Sequence, residues 1–295
     1  MLLVWKNNRV LFPTLIRRQD PRFGKQSDVV ECMSKVSAIL FDLDGTVYRG
    51  GDAIDGASEF IDLLYRHQID YLFVTNRGNR RPELIAEQLQ SMNIRCDAED
   101  ILTSSQAVAM QLEPGARVYC IGEVGLSSIL KDHDIQVLDH AAEAADAVVV
   151  SYDRDFDYQK LCKAVDLITA GARFIATNTD SVITVEDRIL PEAGPLVAAV
   201  QNATGVTPEI FGKPEQSIIN AACLRLNKRV DNCVVIGDNL FTDILAAHQS
   251  NMRSILILTG VSSRKDCDSA EFKPTWIAED YAELEKQFFS QILDF

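Results

Sequence analysis

The sequence predicts an α/β fold, a parallel β-sheet with helices on its faces, laid down in two α/β blocks. Two observations carry this. Short apolar, β-prone runs alternate along the chain with stretches whose apolar residues recur at helical spacing, the β-α-β-α order that builds parallel sheets. The runs themselves are apolar at nearly every position, as strands buried on both faces are, and do not alternate with polar residues.

In chain order, Val36–Phe41 reads as the first strand and ends in Asp42-Leu43-Asp44-Gly45-Thr46. Residues 57–66 set Phe60, Ile61, Leu63 and Leu64 on one helical face. Ile69–Val74 is a second strand, ending in Thr75-Asn76-Arg77-Gly78, and Pro82 opens the helix Glu83–Met92. A similar cycle begins at Gly115, with strand Val118–Ile121, helix Val124–Lys131, strand Ala147–Ser151, helix Tyr158–Ala170 and strand Arg173–Thr177. A loop rich in turn and charged residues, Asn178–Gly194, then leads to helix Pro195–Ala203. The sheet pattern resumes at Glu209–Phe211, followed by Gly212-Lys213-Pro214 and helix Gln216–Leu226. Strand Cys233–Ile236 ends in Gly237-Asp238-Asn239. Helix Thr242–Gln249, strand Arg253–Leu258 and helix Ala282–Phe289 complete the pattern.

At 295 residues the chain is long enough for about two domains and a large core. Its 47% apolar and 24% charged residues are those of an ordinary soluble protein. A net charge of −14 disfavours nucleic acid and anionic membranes as partners. An anionic small substrate stays open, because a metal ion and one lysine reverse the sign locally. The seven cysteines are scattered and form no C-x-x-C pair, which excludes a disulfide framework or zinc site and suits reduced thiols in a cytoplasmic protein. No apolar run reaches the roughly 18 residues of a membrane span. Residues 1–27 carry Lys6, Arg9, Arg17, Arg18, Arg22 and Lys25 against Asp20 alone. This basic start could be a transit peptide. We read residues 1–33 instead as an N-terminal extension, a disordered tail or a stretch upstream of a natural start at Met33.

Four polar clusters stand at strand ends, where parallel sheets bind ligands: Asp42 with Asp44, Thr75, Lys213 and Asp238. In extended chain, residues i and i+2 point the same way, so the two aspartates would face one site. Two carboxylates about 4 Å apart repel by about 4 kcal/mol at an effective dielectric of 20, and something positive must offset that. A divalent cation does so, with Asp238 as a third carboxylate; magnesium suits such ligands and phosphate oxygens. One aspartate can attack phosphorus while the other moves protons. Thr75 offers a hydroxyl and neighbouring N–H groups to phosphoryl oxygens, and Lys213 a point charge. Asp42 and Asp44 also fit positions 3 and 5 of a calcium loop. Position 12 is then Gly51 rather than a bidentate Glu, so that register fails. The four histidines show no metal spacing.

These segments resemble the four motifs of the haloacid dehalogenase-like (HAD) phosphatases: Asp42-Leu43-Asp44-Gly45-Thr46, Thr75 with Asn76, Lys213, and Gly237-Asp238-Asn239 through Asp243. The resemblance implies Asp42 as nucleophile and Asp44 as acid/base. It implies Mg2+ held by Asp42, Asp238 and the main-chain carbonyl of Asp44, with Asp243 and Asn239 in support. Thr75, Asn76, Arg77 (through its main chain) and Lys213 would bind substrate phosphate. Only 33 residues separate Asp42 from Thr75, whereas 138 separate Thr75 from Lys213, so an inserted domain fits the second gap alone. That arrangement, with strings such as Ala176-Thr177-Asn178 and Gly212-Lys213-Pro214, is similar to the NagD-type branch. It implies a Rossmann-like core of residues 34–113 and 207–295 and an α/β cap of residues 114–206. Members of the branch hydrolyse small phosphomonoesters. The expectation is therefore a magnesium-dependent phosphatase of a nucleoside monophosphate or a 4-nitrophenyl phosphate-like ester. Phosphoglycolate or glycerol phosphate is the alternative substrate, and a non-catalytic phosphate-binding regulator the alternative class. A homodimer through the cap is the implied partner. Asn178–Ile183 lacks the histidine of vitamin-B6 phosphatases, which counts against pyridoxal phosphate.

Overall fold

The computed structural model describes residues 35–185 and 188–292; the expectations for residues 1–33 lie outside them. Strand β1 is Ala38–Phe41, followed by a small hairpin of β2, Tyr48–Arg49, and β3, Asp52–Ala53. Helix α1, Ala57–Arg66, leads to β4, Asp70–Thr75, and α2, Pro82–Ser91, to β5, Ile101–Thr103, and α3, Ser104–Ala109. The next block holds β6, Arg117–Ile121, α4, Val124–Asp132, β7, Gln136–Leu138, β8, Ala147–Val150, α5, Tyr158–Thr169, and β9, Arg173–Ala176. It continues through β10, Val182–Val185, β11, Arg188–Pro191, α6, Ala193–Thr204, and β12, Glu209–Ile210. The chain then returns through α7, Gln216–Leu226, β13, Cys233–Gly237, α8, Leu245–Gln249, β14, Arg253–Ile257, α9, Arg264–Ser269, β15, Trp276–Ala278, and α10, Tyr281–Gln287.

The first sheet is parallel throughout, in the order β15-β14-β13-β1-β4-β5. Strand β1 has all four residues buried, and its pleat divides them between two cores. Ile39 and Phe41 enter a cluster with Phe60, Phe73, Tyr281 and Phe288. Ala38 and Leu40 enter another, with Ile218, Ile219 and Ala222 of α7. Burying a side chain the size of Phe41 contributes about 1.5–3 kcal/mol. Sequence order reverses at β1, which has β13 on one side and β4 on the other. That reversal opens the crevice where such sheets take ligands.

The second sheet is also parallel, in the order β12-β9-β8-β6-β7. One face packs Ile121, Val150 and Phe174 on Leu167 and Val197. The other packs Val118, Val149 and Ile175 on Leu126 and Leu130. Its edge strand β12 pairs with β9. A two-residue strand with no amphipathic signature gives no hint of which sheet it joins. The loop expected at 178–194 contains the antiparallel pair β10–β11; the β-branched run Val182-Ile183-Thr184-Val185 was its readable signal. Among the described residues, no helix is long and apolar enough to cross a membrane.

Candidate active site

Asp42 and Asp238 are the residues directly beyond β1 and β13. The two strands are paired neighbours, Phe41 opposite Ile236, so the two aspartates leave adjacent strand ends, Asp238 one residue further along. Thr75 closes β4, on the other flank of β1. Lys213 lies on the segment that returns from β12 to α7.

The Lys213 Nζ pairs with Asp42 Oδ1 and stands 2.7 Å from Asp243 Oδ1. Lys213 is 4% exposed, and Asp238 and Asp243 1% each. Burial works against the Lys213 charge, but Asp243 and Asp42 outweigh it and hold the ammonium protonated well above its ordinary range. Burial pushes the Asp42 carboxyl well above the usual carboxylate range; Lys213 opposes this, while Asp243 and Asp238 add to it. Asp238 is pushed up to about 6, first by burial and then by Asp243. The Val261 N–H, 2.6 Å from its Oδ2, and the Thr46 hydroxyl, 3.2 Å from its Oδ1, oppose that rise. Two glycines make room for this carboxylate. A Cβ on Gly45 would come within 2.4 Å of Asp238 Oδ2, and one on Gly260 within 1.8 Å. Gly45 also has φ +84°, a conformation that side chains resist.

One carboxylate oxygen each from Asp42, Asp238 and Asp243 lies within 4.8 Å of the others. At that spacing each like-charged pair repels by about 3 kcal/mol at an effective dielectric of 20. Lys213 supplies one positive charge against three negative. The residues therefore fit a divalent cation, and hard oxygen donors are the set that Mg2+ prefers. Asp243, expected in a supporting role, is one of the three carboxylates of this cluster. The Asn239 N–H donates to Asp243 Oδ2 at 3.1 Å, and its Oδ1 accepts from the Phe241 N–H.

The Asp44 side chain lies outside the trio. Arg77 grips it with Nε at 2.7 Å and Nη2 at 2.6 Å, and the Tyr48 hydroxyl donates to it at 3.1 Å. Asp42 and Asp44 are thus held by different partners, Asp42 by Lys213 and Asp44 by Arg77 and Tyr48. Arg77 makes two separate contacts. Its N–H donates to Thr75 Oγ1 at 3.1 Å, and its guanidinium serves Asp44. The Thr75 hydroxyl, accepting there, keeps its own proton to donate. The Asn76 side chain is taken up by Lys213 N–H and C=O, at 2.8 and 3.0 Å, and by Asp180 at 2.9 Å. Two of these bonds hold the lysine main chain. Tyr48, Asp180 and Gly260 had no readable signal, since each meets the site through folding alone. The histidines stay away from it: His140 meets Tyr119, His133 its own helix, and His67 and His248 phenylalanines. The cysteines that are described are all free thiols.

Two family models match the chain: haloacid dehalogenase-like hydrolase over residues 39–136 and HAD-hydrolase-like over residues 210–284. An acid sugar phosphatase of Staphylococcus epidermidis is 37% identical over 261 residues, 86% of this chain and all of that protein. The structure of NagD from E. coli superposes with a TM-score of 0.80 at 30% identity, covering 85% of this chain and 98% of that one. A glycerol phosphate phosphatase from Mycobacterium tuberculosis in complex with magnesium superposes with a TM-score of 0.77 at 33% identity, covering 85% and 76%.

Proposed function

The chain belongs to the haloacid dehalogenase-like hydrolases as a NagD-type phosphatase, and from there we propose a magnesium-dependent phosphomonoesterase that works through an aspartyl-phosphate on Asp42. The observation that carries this reading is the contrast between two carboxylates that leave one strand end. Asp42, its side chain 11% exposed, pairs with Lys213 among anions, whereas the Asp44 side chain, 43% exposed, is held by Arg77 and Tyr48.

Asp42 attacks phosphorus and the bond to the ester oxygen breaks, leaving the phosphoryl group on the carboxylate. Asp44 gives the departing oxygen its proton, then takes one from the water that cleaves the aspartyl-phosphate and frees inorganic phosphate. For this work Asp44 must exchange its grip with Arg77 for contacts with substrate. Lys213 and the Thr75 hydroxyl offset charge on the phosphoryl oxygens. The residues that would hold Mg2+ are Asp42, Asp238 and Asp243 by their carboxylates and Asp44 by its carbonyl. When bound, the ion supplies positive charge to the phosphoryl group.

The substrate is a small phosphorylated metabolite. The names of the sugar phosphatase and the glycerol phosphate phosphatase favour a hydroxylated alcohol as its leaving group. Nucleoside monophosphates fall in the same chemical class. Phosphate release from 4-nitrophenyl phosphate, sugar phosphates, glycerol phosphate and nucleoside monophosphates tests the proposal. Release with Mg2+ and none after chelation is the expected result. Binding of these esters without any turnover would overturn it.

A further inference from the structure

Lys213 is carried by neither sheet. It lies three residues past β12, the edge of the second sheet, and three before α7, which packs on the first. Where its ammonium sits therefore depends on how the two halves meet, and one side chain governs that junction. Asn76 accepts from the Lys213 N–H at 2.8 Å and donates to its C=O at 3.0 Å, fixing the lysine main chain from both sides. Its remaining N–H donates to Asp180 at 2.9 Å, across the seam. Asn178 returns the contact, donating to the Asn76 C=O at 2.9 Å, where Ser104 also donates.

Asp180 is itself held rigid. Its N–H donates to Asn178 Oδ1 at 2.9 Å, and its C=O accepts from the Gly194 N–H at 2.9 Å. Close backbone approach locks this corner at two glycines. A Cβ on Gly194 would lie 2.5 Å from the Thr179 carbonyl, and one on Gly212 would lie 2.4 Å from the Thr177 carbonyl and 2.6 Å from Asn76 Oδ1. A carboxylate only accepts, so it can be met only by the amide nitrogen of Asn76. That requirement reinforces the orientation in which Asn76 Oδ1 faces the Lys213 N–H.

We infer that Asp180 is a positioning residue for Lys213, acting through the Asn76 amide, so that the seating of residues 178–180 against Asn76 and the placement of the lysine charge are one variable. The inference rests on the phosphatase reading. It differs from a role in recognising the substrate's alcohol, since Asp180 acts on the phosphoryl end common to every substrate.

The test measures kcat and KM for Asp180→Ala, Asp180→Glu and Asp180→Asn on 4-nitrophenyl phosphate, glycerol phosphate and a nucleoside monophosphate, with orthovanadate inhibition alongside. Asp180→Ala lowers kcat about 10- to 100-fold, by the same factor on all three esters, as expected for a displaced charge. Orthovanadate binds correspondingly more weakly. Asp180→Asn, which keeps an oxygen acceptor for Asn76, recovers kcat to within about threefold of the parent. Asp180→Glu, with an acceptor set one methylene too far, falls between and carries the test if the alanine variant does not fold. Changes confined to KM that differ among the esters would make Asp180 a reader of the alcohol and overturn the inference. Unaltered kinetics would also overturn it. A parent enzyme inactive on all three esters would instead remove the phosphatase reading beneath it.

Discussion

Asp42 and Asp44 sit two residues apart and meet opposite surroundings, and those surroundings assign the labour between them. Asp42 shares one lysine with Asp243 and stands within 4.8 Å of two other carboxylates. Replacing it with Asn removes the nucleophile and also relieves like-charge repulsion. Asp42→Asn should therefore lower kcat by more than about 1,000-fold while leaving the thermal midpoint equal or higher. Calorimetry beside a phosphate-release assay checks both halves, and appreciable turnover by the variant would remove Asp42 as nucleophile. Gly260 makes the complementary case. A methyl there would enter the space of Asp238 Oδ2, so Gly260→Ala should displace that carboxylate and lower kcat about tenfold or more, with Mg2+ affinity falling in step. Asp42, Thr75, Lys213 and Asp238 were legible in the sequence because each closes or follows a segment whose end its composition marks. The partners of Asp44 and Asn76 were not. Arg77 and Asp180 lie 33 and 104 residues from those side chains, and only the folded chain decides which donor reaches which acceptor.

Elements differ in legibility for a related reason. Strands such as β1 and β13, buried on both faces, announce themselves by continuous apolar runs. Strand β12 has two residues, one exposed and one half-buried, and its sheet is set by the neighbour it meets. Helix α3 had a readable sign, the capping box formed by Thr103 and Gln106. At α6 the cap itself gives a prediction. Glu192 caps this helix, accepting from the Ala193 N–H, and is buried. Burial pushes its carboxyl from the usual 4.5 up to about 7; the Ala193 N–H opposes the rise and Asp180 adds to it. Between those pH values the folded protein holds a proton that the unfolded chain has lost, so stability falls as pH rises through the window. Above about pH 7 the full cost is present, about 3 kcal/mol. Glu192→Gln carries no such cost. Urea unfolding should find the variant little different from the parent at pH 5 and more stable at pH 8, and an equal gap at both pH values would defeat the prediction.

For the whole molecule, charge frames how substrate reaches the site. The protein carries −14 at pH 7, and the site adds three carboxylates, two of them buried, against one lysine. A phosphomonoester dianion approaching this surface is repelled at long range and, without a further cation, at the site as well. Among the described residues, Lys213 is the one cation paired with the trio, with Asp42 and Asp243. Inorganic phosphate, which bears the same charge but no leaving group, isolates this effect from chemistry. Titration calorimetry with phosphate should give no measurable binding to chelator-treated protein and binding once Mg2+ is present. Mg2+ alone should raise the thermal midpoint, since at ten times its dissociation constant a ligand of the folded state contributes about 1.4 kcal/mol. Asp238→Asn, with one carboxylate fewer, should lose most of that rise. Phosphate bound equally well with and without Mg2+ would mean that Lys213 and Thr75 suffice, and that the carboxylate trio serves some purpose other than holding a cation.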